Sequence, residues 1–276
     1  MRKSTFRGRM QRLKIVQVLL VALLCGSSFA ETGIGTDKRE IVRAARQSYY
    51  NLPSQGLIEF QCSVTPNWTA ILKEELKSDI PPDHPGLKLL NKVHFWLSLD
   101  QKGSAKLTHQ SDYTPTDQKS IENLNQTISG VEEVLSGFSQ TMAPFLFTSP
   151  FPEIAGTYEL QEQGDQYRLS YREGQFDILT IMKKDFAIVE LKASGPQIIA
   201  SVKPQISGAQ KGFLVTGYQA TYQASSGTDS YQLSVQIDYK EVEGFQVPAK
   251  LQVDATASGA NHKMELQFTD YQIKRQ

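Results

Sequence analysis

Tyr231-Gln232-Leu233-Ser234-Val235-Gln236-Ile237-Asp238-Tyr239 alternates apolar and polar residues without a break. Phe245-Gln246-Val247-Pro248-Ala249-Lys250-Leu251-Gln252-Val253-Asp254 follows almost at once and repeats the pattern. A period of two turns successive side chains to opposite faces of an extended strand, so each segment has one apolar and one wet side. Glu243-Gly244 between them is a hairpin turn signal. Met264, Leu266 and Phe268 against Glu265, Gln267 and Thr269 make a third such strand. Its phase slips at Asp270, after which Tyr271 and Ile273 carry the apolar side, and the slip predicts a β-bulge.

The same period runs back along the chain. It predicts strands over 158–162, 167–172, 176–183, 186–193, 197–203 and 212–224, and bounds the three C-terminal ones at 231–240, 245–255 and 263–273. No helical pattern interrupts them, so neighbours are expected to pair as antiparallel hairpins. The first half reads differently. Asp37-Lys38-Arg39-Glu40 is a capping box, and Ile41, Ala44, Ala45, Tyr49 and Leu52 follow at helical spacing, with Pro53 and Gly56 ending the helix. A strand is expected over 57–64, with Phe60, Cys62 and Val64 on one face, and a short helix over 68–76 that places Trp68, Ile71, Leu72 and Leu76 together. Residues 79–86 hold three prolines and form a loop. The stretch 87–93 fits a helical turn or the start of a strand. Strands follow over 94–99 and 105–109, joined by a turn at 100–103. A long helix spans 116–142, where Ile121, Leu124, Ile128, Val131, Leu135, Phe138 and Met142 form one stripe.

The fold class is therefore α+β: one large antiparallel sheet, with helices gathered in the N-terminal half. Nine C-terminal strands and three earlier ones make a sheet wider than two helices can cover, since helices pack about 10 Å apart and strands about 4.8 Å. Such a sheet is expected to be strongly curved, an incomplete barrel, with helices covering or plugging its concave face. Curling leaves an apolar hollow suited to an acyl chain, whereas full packing leaves none. The lining expected of a hollow is Leu233, Val235, Phe245, Val247, Leu251, Met264, Leu266 and Phe268, with Phe145 and Phe147 near its mouth. Those two belong to Pro144-Phe145-Leu146-Phe147-Thr148-Ser149-Pro150-Phe151-Pro152, which reads either as a plug between helix and sheet or as a lid.

The first thirty residues carry an address. Arg2, Lys3, Arg7, Arg9, Arg12 and Lys14 precede an apolar run from Ile15 to Leu24, and Ser28-Phe29-Ala30 places small residues where a signal peptidase reads. The domain plan is a signal peptide over 1–30 and a single domain over 31–276. The run is short for a membrane anchor and holds Gln17. A lipidated Cys25 is the other alternative, against which Leu24 is bulky for the preceding position. Cleavage after Ala30 leaves about 246 residues, the size of one large β-rich domain. The head removes six of the 29 basic residues and none of the 29 acidic ones, leaving a formal charge of about −6. That balance, with no basic stripe, argues against nucleic acid as a partner. Cys62 alone then remains, and it reads as a buried apolar residue.

No catalytic constellation emerges. His84, His94, His109 and His262 are scattered without metal-ligand spacing, although His94 and His109 could face each other across the 100–103 hairpin. There is no Gly-x-Ser-x-Gly elbow, phosphate loop or dinucleotide fingerprint. Hence no catalytic residue, metal ligand or cofactor is assigned, and the chain is read as a non-enzyme.

Three segments carry a family resemblance. A helix running into Tyr49-Tyr50-Asn51-Leu52 precedes a strand holding Phe60. Gly244-Phe245-Gln246-Val247-Pro248-Ala249-Lys250-Leu251 comes late, and Leu266-Gln267-Phe268-Thr269-Asp270-Tyr271-Gln272-Ile273 closes the chain. Their order resembles the periplasmic lipoprotein carriers and receptors of the LolA/LolB-like superfamily. The resemblance implies a half-barrel lidded by helices, a periplasmic or secreted location, and a hollow that binds lipid or lipoprotein acyl chains without chemistry. On this reading the chain acts as a monomer. The rival reading is an envelope interaction module whose sheet is fully packed and whose edges or loops bind another protein.

Overall fold

The structure, a computed structural model, describes residues 36–112, 116–209, 211–225, 230–257 and 260–276. The expected signal segment, its cleavage point and Cys25 lie outside them, as does the side chain of Asp37 in the expected capping box. Among the described residues no helix is long and apolar enough to cross a membrane.

Among the described residues twelve strands form one antiparallel sheet. In chain order they are β1 (Leu57–Pro66), β2 (Val93–Asp100), β3 (Ala105–Ser111), β4 (Tyr158–Gln163), β5 (Gln166–Glu173), β6 (Phe176–Lys183), β7 (Ile188–Ser194), β8 (Ile198–Ala209), β9 (Gly212–Ala224), β10 (Ser230–Val242), β11 (Phe245–Ala257) and β12 (Ala260–Arg275). The order across the sheet is β3-β2-β1-β12-β11-β10-β9-β8-β7-β6-β5-β4, so the ladder is open and ends on β3 and β4. From β4 to β12 every strand pairs with its successor, as short turns demand. The one long-range closure is β1 against β12, which joins the two ends of the chain; Phe60 pairs with Ile273 and Val64 with Phe268. The register slips between Gln61 and Ser63, opposite Asp270, whose φ is 50°. This is the predicted bulge, and it keeps Phe268, Tyr271 and Ile273 on one face.

Four α-helices accompany the sheet among the described residues: α1 (Thr36–Gln47), α2 (Trp68–Leu76), α3 (Pro85–Leu90) and α4 (Gln118–Leu146). The stretch 87–93 thus contains both of its readings in turn, a helical end and then β2 from Val93. In α4 the Asp117 carboxylate accepts from the Ser120 N–H at 2.9 Å, satisfying a first-turn donor. Of its expected stripe, Leu124, Ile128, Val131, Leu135, Phe138 and Met142 are buried, whereas Ile121, in the first turn, is only partly so. The helix runs one turn past the expected end, through Pro144 to Leu146, and the Phe147 N–H closes it on the Ala143 carbonyl at 2.9 Å. Proline lacks an N–H for the carbonyl four residues back, but this costs little so near a terminus. In α2, Trp68 and Ile71 are buried, whereas Leu76, expected beside them, is 52% exposed.

Helix α1 is shorter than its apolar spacing predicts. It ends at Gln47, Ser48 turns the chain, and Tyr49 makes an isolated parallel bridge to Phe213 of β9: the Phe213 N–H donates to the Ser48 carbonyl at 2.7 Å, and the Tyr50 N–H donates to the Phe213 carbonyl at 2.9 Å. The reason lies in the sheet. Strand β9 pairs with β10 only from Gly217 onward, so its first residues have no partner on that side. Unpaired strand groups need donors and acceptors, and residues 48–50 supply them. The Tyr239 hydroxyl bridges the same gap by donating to the Val215 carbonyl at 2.8 Å, and the Gln246 N–H donates to the Tyr50 hydroxyl at 2.9 Å.

Candidate functional site

Only one face of the sheet is consistently buried, and the expected lining residues lie on it. Val247, Leu251 and Leu266 are 0% exposed; Phe268, Val235, Phe245, Phe147 and Phe145 follow within 7%, while Leu233 and Met264 are half-buried. A residue with no exposed surface has no water-sized space beside it. The middle of this face is therefore packed. Part of the packing is helical: Phe138 of α4 meets Phe268 with ring centroids 6.0 Å apart. Phe145 and Phe147, expected near a mouth, are interior instead, against Tyr49 at 6.2 Å and Phe60 at 6.1 Å. Phe151 also packs on Tyr49, at 5.6 Å, so the segment after α4 is arranged as a plug.

The packing loosens where β9, β10 and β11 approach their shared end. There the cross-strand pairs are Tyr231 with Tyr222, Leu233 with Ala220, and Leu233 with Ala255 on the other side. Tyr222 is flanked on β8 by Ala200. Paired residues project to the same face, so two phenols and a leucine stand among alanines. Alanine fills little of the layer above the sheet, and Leu233, Tyr231 and Met264 are only partly buried against the core, while Ala200, Ala220 and Ala255 are themselves buried. Burial pushes the Tyr222 and Tyr231 phenols up to about 12, so both are neutral O–H groups at physiological pH.

A polar cleft of about 430 Å³ lies beside edge strand β3, lined by Leu107 and by Ser129, Glu132, Glu133 and Ser136 of α4. At its side His109 Nδ1 meets Glu132 Oε1 at 2.7 Å. His94 and His109 do not face each other: Phe95 pairs with His109 and His94 with Gln110, which puts the imidazoles on opposite faces. His94 instead meets Asp112 at 3.3 Å. Among the described residues no three His, Cys, Asp or Glu side chains converge on a metal position. Cys62 is 0% exposed and burial pushes its thiol up to about 12, which makes it a core residue and a poor nucleophile.

One carboxyl group was invisible to sequence reading. Glu173, at the end of β5, is pushed up to about 7, first by burial and then by the like charge of Glu153. Glu153 is already engaged by Arg46 of α1, at 3.0 Å, and Arg46 also donates to the Phe151 and Pro152 carbonyls. A carboxyl raised above its ordinary 4.5 binds its proton more tightly folded than unfolded. Its contribution is fully present below about 4.5 and is lost as pH rises toward about 7. Glu173→Gln is accordingly expected to flatten that part of the stability profile and to raise the unfolding midpoint at pH 8. A profile unchanged by the substitution would contradict this.

Sequence reading found which residues lie on the buried apolar face, because a period of two marks the apolar side of each strand. The His109–Glu132 contact was hidden, since it joins a strand to a helix across an unpredicted interface. No family model matches the chain, and neither a curated protein nor a solved structure matches it.

Proposed function

We propose that the chain is an exported, non-catalytic carrier that holds an acyl chain between α4 and the apolar face of the sheet. On this reading the sheet curves as an incomplete barrel, α4 lies along its concave side, and the LolA/LolB-like resemblance is one of fold and cargo class. The observation that supports the reading is the end of the buried face where Leu233, Met264 and Tyr231 are only partly buried, beside the small Ala200, Ala220 and Ala255. An apolar tail entering there extends an existing apolar layer. Eight buried methylenes contribute about 6 kcal/mol before ordering costs. The packed middle means that a longer tail requires α4 to move away from the sheet.

The same packing supports a second reading, the envelope interaction module, because Val247, Leu251 and Leu266 leave no space for a ligand at rest. The two differ in uptake. Protein purified without detergent is expected to carry lipid detectable by mass spectrometry, and the delipidated protein to take up a fluorescent fatty acid at micromolar concentration. A folded protein that carries no lipid and takes up no probe refutes the carrier and leaves the interaction module.

A further inference from the structure

The two tryptophans of the chain have opposite settings. Trp68 is 3% exposed, and its ring meets Phe95 at 6.2 Å. Trp96 of β2 projects from the other face of the sheet, where it is half-buried and stands apart from the hydrophobic core. Its ring lies 6.2 Å from that of His94, which Asp112 holds at 3.3 Å.

The strand register defines what surrounds this indole. Ser63 of β1 and Thr108 of β3 pair with Trp96 directly, and paired residues project to the same face. Gln61, Thr65, Lys106 and Gln110 lie diagonally across from it, all exposed, and only Lys106 is charged. Strand β12 continues the layer beyond β1: Gln267 pairs with Thr65, Thr269 with Ser63, and Gln272 with Gln61. The carboxylates at its border are engaged, since the Thr269 hydroxyl donates to Asp270 at 2.9 Å and the Ser98 hydroxyl to Glu59 at 2.7 Å. A wet face is ordinarily made soluble by mixed charge, and strands near a sheet edge are ordinarily guarded by it. Here one aromatic ring is set instead among amides and hydroxyls, each of which both donates and accepts.

We infer that this outer face of β1, β2 and β3 binds a neutral glycan, with a sugar ring laid on Trp96. A sugar ring is uncharged, apolar on its C–H faces and hydroxylated around its rim. The indole offers the apolar surface, and Gln61, Thr108 and Gln110 exchange hydrogen bonds with the rim. A polyanion would find Lys106 alone among these neighbours, too little positive charge to hold it. An apolar peptide side chain would find no apolar partner among the cross-strand and diagonal neighbours of Trp96. The site lies on the opposite face of the sheet from the proposed acyl layer and stands independently of it.

The test is calorimetric titration of the protein with cellohexaose, chitohexaose and maltohexaose, with polygalacturonate and polylysine as charged controls. At least one hexaose is expected to bind at millimolar concentration, and the one that does identifies the linkage and substituent the face reads. Trp96→Ala is expected to bind it about tenfold more weakly while keeping the wild-type unfolding midpoint, because the ring lies outside the core. Gln61→Ala/Gln110→Ala keeps the indole, removes two exposed amides, and is expected to weaken binding by a similar factor. A wild type that binds no hexaose, either variant binding as the wild type does, or a charged polymer binding as tightly as the hexaoses overturns the assignment.

Discussion

Leu251→Glu is expected to abolish folding. Leu251 is 0% exposed and sits on the buried face between Ile237 of β10 and Leu266 of β12. A carboxylate there has no partner, and burying an unpaired charge costs more than the few kcal/mol by which a domain is stable. Leu251→Ala isolates the packing contribution and is expected to lose about 2–5 kcal/mol in denaturant unfolding. Gln236→Glu, on the exposed face, is expected to stay within about 0.5 kcal/mol of the wild type. A Leu251→Glu protein that unfolds cooperatively near the wild-type midpoint would show that this face is open to water, contrary to the packing described.

The second large effect is at the fork of the sheet. Gly217 is the last β9 residue paired to β10, opposite Gln236. A Cβ added there would lie 2.5 Å from the Val235 carbonyl oxygen and 3.0 Å from Gln205 Oε1. The first contact is with backbone and cannot be relieved by a rotamer change. Gly217→Val is therefore expected to cost about 3 kcal/mol and to loosen the ladder on either side of the fork. Gly208 is the control, since nothing lies within 4 Å of a Cβ placed there, and Gly208→Ala is expected to be near neutral. Equal effects at the two glycines would refute the close approach of β9 and β10.

The contrast between these positions explains what could be read in advance. Leu251 and Leu266 were legible as core because a period of two is a local property, visible wherever one face of a strand is buried. The limits of β6 and β9 were legible for the same reason. The pairing of β1 with β12 was not, because no local pattern says which distant strand lies next to the first. The early end of α1 was hidden too: Tyr49 continues the helical spacing, and only the gap between β9 and β10 draws it out of the helix. Tyr222 and Tyr231 show the same limit at the candidate site. Their place on the apolar side follows from alternation, but how deeply each is buried depends on what the fold sets opposite it.

The central claim is that α4 parts from the sheet to admit a long acyl chain, one that reaches past the partly buried end into the packed middle. It is tested most directly by fastening α4 to β3 in the chain beginning at Glu31. His109 and Glu132, in contact at 2.7 Å, are replaced by cysteines and joined by a short bismaleimide linker that carries a reducible disulfide. Cys62 is buried with its thiol pushed up to about 12 and will not compete. Uptake of a fluorescent fatty acid is then measured before and after the linker is cleaved. The account predicts that the linked protein takes up little probe and that cleavage restores uptake to the level of the unlinked variant. Equal uptake with the linker intact and cleaved, or no uptake by either form, would contradict it.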